Sequence, residues 1–148
     1  MDAQRYYREA TVAGASPVEL VIRLYEKIIE DLRQAMKALE QNKIELRTAK
    51  INHAILVIAY LDSKLNFAQG GKVAGQLRAF YGALRANLLQ AQFKQSKELL
   101  TRQITDLLAV REAWIAVGHS EAVTVDADAR SAKPPARQTN AAPLEWNG

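Results

Sequence analysis

Apolar residues recur along this chain at intervals of three and four, the period of helices packed on one side. From Pro17 to about Gln41, Leu20, Leu24, Ile28, Leu32, Ala35 and Leu39 mark one helical face. A second stripe runs beside it through Val18, Ile22, Tyr25, Ile29 and Met36. The two together exceed the roughly 100° arc that a surface helix needs for a single core. The start of this helix is sharply specified. Ser16 is a good N-cap, Pro17 fits the first helical position, and Glu19 completes a capping box with Ser16.

A second helix is expected from about Leu46 to Ala68, with Ile51, Ala54, Ile55, Ile58, Leu61 and Leu65 as its stripe. Leu56, Val57 and Tyr60 point away from the centre of that stripe. Gly70-Gly71 reads as its end, since a glycine just past a helix can take the left-handed cap conformation. A third helix is expected from Lys72 to about Phe93, striped by Val73, Leu77, Phe80, Leu84, Leu88 and Ala91 with Tyr81 at the flank. Ser96 is placed to cap a fourth, running to about Val117 with Leu100, Ile104, Leu107 or Leu108, Arg111 and Trp114 on its stripe. The aliphatic stem of Arg111 is expected to snorkel past Trp114. Short connections make sequential helices antiparallel. The prediction is therefore an all-α fold, an antiparallel up-down-up-down four-helix bundle over residues 16–118.

Residues 1–15 precede the cap as an N-terminal arm carrying Tyr6, Tyr7 and Val12. Gly118 is read as closing the helical body. Beyond it, residues 119–148 change to Ala, Asp, Ser, Pro, Arg and Thr and read as a disordered C-terminal tail. The tail ends P-L-E-W-N-G, where Leu144 and Trp146 stand alone; a sticky terminus without function is favoured over a docking motif.

Length and composition narrow the function classes. The 148 residues suffice for one domain with a real core, and only 4 prolines and 7 glycines occur. The absence of cysteine removes disulfides, thiolate nucleophiles and thiolate metal sites. The net charge of +4 is spread among mixed signs with no basic run longer than two residues, which disfavours nucleic acid as a partner. The start M-D-A-Q-R-Y-Y lacks the apolar run of a signal peptide, and Ala54 to Leu61 is too short to span a bilayer. A cytoplasmic protein with no membrane insertion is expected.

Catalytic signatures are wanting. A di-metal bundle site needs Glu-x-x-His motifs, but neither His53 nor His119 has Glu three residues before it. Gly70-Gly71-Lys72 lacks the spaced upstream glycine and the following Ser or Thr of a phosphate loop. Asp62 with Lys64, and Arg111 with Glu112, read as solvated charges. Neither enzyme activity nor a cofactor is expected. What remains is surplus apolar surface on the first two helices. It fits a thick core, a groove covered by the arm, a groove for an apolar helix or extended peptide, or a homodimer interface.

The order Tyr7-x-x-x-x-Val12, Ala15-Ser16-Pro17-x-Glu19-Leu20 and Leu24-Tyr25-Glu26 resembles the flagellin export chaperone family FliS. The likeness continues through Leu65-Asn66-x-x-x-Gly70-Gly71, Val73-Ala74-x-x-Leu77, Phe80-Tyr81 and Leu108 with Arg111-Glu112-Ala113-Trp114. Gly14, Lys27 and Asn66 depart from the family's usual Thr, Gly and Asp. The resemblance implies a helical chaperone that binds the disordered C-terminal segment of flagellin. It would prevent premature polymerisation and deliver the client to the flagellar type III export apparatus, with the gate protein FlhA as a further partner. It also implies an arm that lies in part of the groove and is displaced by client. On that basis Tyr7 and Val12 are arm residues. From the helical wheel, Ile22, Tyr25, Ile29, Leu56, Val57 and Tyr60 are the candidate partner-binding residues. The alternative is a structural helical adaptor or dimerisation module for another amphipathic helix.

Overall fold

A computed structural model describes Arg5 and residues 16–131, excepting the side chains of residues 67 and 120–131. Among the described residues the secondary structure is helical, without strands. The helices are α1 (Pro17–Glu40), α2 (Ile44–Ser63), α3 (Phe67–Lys94) and α4 (Lys97–Ser131). The sharp start of α1 is as the sequence specifies. Glu19 N–H donates to Ser16 Oγ at 3.1 Å and Ser16 N–H donates to Glu19 Oε1 at 2.8 Å. Ser96 caps α4 by accepting from Leu99 N–H at 3.1 Å.

Each helix packs on its two neighbours in the square, and no diagonal pair is in backbone contact. The antiparallel seams keep a fixed register. Between α1 and α4, Met36 meets Thr101, Glu26 meets Arg111, and Val18 meets Gly118. Between α2 and α3, Arg47 and Thr48 meet Gln92, and Asp62 meets Arg78. The arrangement is the expected up-down-up-down bundle.

The square explains the double stripe of α1. With a neighbour on either side, one helix buries two faces, so Tyr25, Ile29 and Val57 join Leu24, Ile28, Leu32 and Ile58 in the core. Tyr25 and Tyr81 reach across the diagonal, their hydroxyls 2.8 Å apart and their rings edge to face. Burial raises the Tyr25 phenol to about 12, against the opposing pull of hydrogen bonds with Tyr81 and Trp114. Tyr81 is also raised, first by burial and then by Tyr25.

Two boundaries differ from the sequence expectation. α2 ends at Ser63, not near Ala68, because Asn66 starts a new helix by accepting from Gln69 N–H at 3.2 Å. The glycine pair therefore lies inside α3. Gly71 has φ +52° and ψ −124°, the mirror of a type II turn position, and kinks the first turn of α3 against the rest. The second difference is at Gly118, where α4 continues to Ser131. A Cβ at Gly118 would stand 3.1 Å from Val18 Cγ1, so this glycine lets α4 approach the first turn of α1.

Candidate functional site

Among the described residues, the apolar surface that the bundle leaves uncovered lies in four places. The first is a groove between α3 and α4. Val73, Leu77 and Phe80 recur along α3 at helical spacing, and Val110, Trp114 and Val117 along α4, with Gln76 and Ala113 between them. They enclose about 280 Å³. The floor is anchored by Trp114, which is buried, while Val73, Leu77, Phe80, Val110 and Val117 are only partly covered.

The second place is the outer ridge of α2, where Leu56 is 66% exposed and Tyr60, one turn on, is half-buried beneath the Lys64 ammonium at 5.4 Å. The third is the seam of α1 with α4. Its register sets half-buried Ile22 level with exposed Ile115. At the far end of the bundle, Leu89 and Phe93 of α3 stand in solvent beside the α2 start with Ile44 and Leu46.

The residues singled out from the helical wheel thus separate. Ile22, Leu56 and Tyr60 reach the surface, whereas Tyr25, Ile29 and Val57 lie inside the core. Tyr7 and Val12 lie outside the described residues. The α3–α4 groove was hidden in the sequence because its residues share stripes with true core positions. A signal exists in hindsight. Gln76 and Ala113, a polar and a small residue, interrupt what would otherwise be closed apolar faces.

Charged groups around these surfaces are structural. Arg111 does not merely snorkel: its Nε donates to Glu26 Oε2 at 2.9 Å, tying α4 to α1, and its Nη1 donates to the neighbouring Glu112 at 3.2 Å. Asp62 pairs with Arg78 and Arg85 of α3 and not with Lys64. His53 Nδ1 lies 2.5 Å from Asp31 Oδ2 inside the α1–α2 seam, where Asp31 is 1% exposed and its other oxygen has no hydrogen-bond partner. The Glu19 carboxyl is held below the usual carboxylate range, first by the Ser16 backbone N–H and then by the Ser16 hydroxyl. Among the described residues no three His, Cys, Asp or Glu side chains converge as metal ligands, and no helix is long and apolar enough to cross a membrane.

Fold and surface define a helical bundle that leaves apolar side chains uncovered on its outer faces. Residues 1–121 match the family described as Flagellar protein FliS. The chain is 32% identical over 123 residues to the flagellar secretion chaperone FliSB of Pseudomonas aeruginosa, covering 80% of this chain and 98% of that one. It is 27% identical over 106 residues to the flagellar secretion chaperone FliS of Vibrio cholerae, covering 72% and 78%. With the Bacillus subtilis flagellar secretion chaperone FliS, identity is 26% over 108 residues, covering 73% and 80%. The chain belongs to the FliS family.

Proposed function

We propose that this protein is a flagellar export chaperone that acts in the cytoplasm by holding the C-terminal segment of flagellin and passing it to the type III export apparatus, where FlhA receives the complex. The observation that carries this reading is uncovered apolar surface, spread over the α3–α4 groove and the Leu56–Tyr60 ridge, on a member of the FliS family. A client that is disordered when free loses conformational entropy on binding, and an extended apolar track is what offsets that loss.

Leu56, Tyr60 and Ile22 are the accessible contact residues in this proposal. Tyr25, Ile29 and Val57 act through the core by fixing where those side chains stand. Binding is non-covalent and needs no cofactor. Tyr7 and Val12, in the arm ahead of the Ser16 cap, are proposed to cover part of the client track until client arrives.

Light scattering on a mixture with monomeric flagellin tests the reading. A one-to-one complex is expected with intact flagellin and none with flagellin lacking its C-terminal segment. Equal complex formation by both, or by neither, removes flagellin's C-terminus as the client.

A further inference from the structure

The α3–α4 groove has dimensions that favour a particular occupant. Its α3 wall runs from Val73 to Phe80, about 10 Å at 1.5 Å per helical residue. Its volume of about 280 Å³ is on the scale of one or two large side chains. Such a site suits a short extended segment bearing two apolar anchors. In an extended chain, alternate residues point the same way and stand about 6.6 Å apart, within the groove's length.

Residues 132–148 contain only two large apolar side chains, Leu144 and Trp146, at that spacing. In sequence they follow Pro143, a residue type with a restricted φ that disfavours helix at the position before it. In such an extended segment Glu145, between the anchors, would face the opposite side. The chain is long enough to return. Ser131 ends α4 about 21 Å beyond Val117 along the helix axis, while the stretch from Ser131 to Leu144 can span about 43 Å.

We propose that Leu144 and Trp146 seat in the α3–α4 groove of their own chain, so that the C-terminus is an intramolecular plug for this apolar surface. Tethering makes a weak contact sufficient. A short flexible linker gives an effective concentration in the millimolar range, so a segment that would bind at about 1 mM in trans is docked about half the time in cis. This inference needs no assumption about flagellin.

Methyl NMR on the full chain, compared with the full-length variants Trp146→Ala and Leu144→Ala, tests it. The indole ring of a docked Trp146 shifts nearby methyl signals. Trp146→Ala is therefore expected to move the Val73, Leu77, Val110 and Val117 methyls while leaving Leu32 and Ile58 in the core unmoved. Leu144→Ala is expected to move the same set in the same direction, and tenfold dilution is expected to change nothing. Superimposable groove signals in all three proteins overturn the proposal. Shifts that fade on dilution overturn it as well, since they place the segment in the groove of a second copy.

Discussion

Gly71 and Gly75 occupy the same helix four residues apart, and the structure predicts that alanine has opposite effects at the two. At Gly71 the backbone holds φ +52° and ψ −124°, a conformation that an L side chain strains whatever the surrounding space. No atom lies within 4 Å of a Cβ built at either glycine, so neither substitution meets a packing clash. At Gly71 only the backbone term remains, about 1–3 kcal/mol of strain. It is offset by about 0.4–1 kcal/mol from a stiffer unfolded chain. Gly71→Ala should therefore cost about 1–2 kcal/mol. Gly75 is helical and exposed, where alanine gains about 1 kcal/mol. The pair should separate by about 2–3 kcal/mol, which for a body of this size is a split in Tm of roughly 10 °C. Urea unfolding followed by circular dichroism at equal m-value gives the comparison directly. If Gly71→Ala is as stabilising as Gly75→Ala, then no kink exists at Gly71 and the first turn of α3 is continuous with the rest.

The remaining predictions concern the core and its caps. Burial raises Tyr25 from 10 to about 12, so the folded state resists tyrosinate formation. The stability tied to the neutral phenol is fully present below pH 10 and lost as pH rises through about 12; absorbance at 295 nm should show Tyr25 and Tyr81 titrating with unfolding, and a transition confined to pH below 10 would contradict it. His53→Ala leaves the buried Asp31 carboxylate without its partner and should cost about 2–3 kcal/mol, whereas Asp31→Leu with His53→Leu should recover most of the loss in urea melts. Ser16→Ala removes the capping acceptor of α1 and should cost about 1 kcal/mol, with Glu19→Gln giving a smaller loss by the same measurement.

The helix starts were legible in the sequence because they are local. Ser16-Pro17-x-Glu19 and Ser96 specify their caps through side chains three residues away, and both form as read. The glycines were misread because a glycine signals a positive φ or a close approach without saying which side of a helix boundary it occupies. At Gly71 the competing local signal was Asn66, which starts α3 upstream of the kink. At Gly118 the deciding fact is non-local, since only the packed bundle brings Val18 against it. The same limit applies to the surface. Periodicity showed that α1 and α2 carry more apolar residues than one face requires, but not that the square of helices buries two faces of each. Tyr25, Ile29 and Val57 fall inside for that reason, while Leu56 and Tyr60 stay out. Absence of a thiol, of inward Glu-x-x-His and of a phosphate loop was legible without a fold, because those chemistries depend on residue type and short spacing.

The central claim is that exposed apolar side chains of this bundle hold the C-terminal segment of flagellin. Leu56 offers the cleanest handle on it, being 66% exposed and outside the core cluster, so that Leu56→Asp should leave the unfolding transition nearly unchanged. Burying a leucine against a partner is worth about 1.5–3 kcal/mol, or roughly ten- to a hundredfold in affinity. Calorimetric titration of the flagellin C-terminal segment into the wild-type chain should give one-to-one binding, and into Leu56→Asp binding at least tenfold weaker. No heat with the wild-type chain at protein concentrations on the order of tens of micromolar would contradict the account, where weaker binding than about 6 kcal/mol of affinity leaves the segment free.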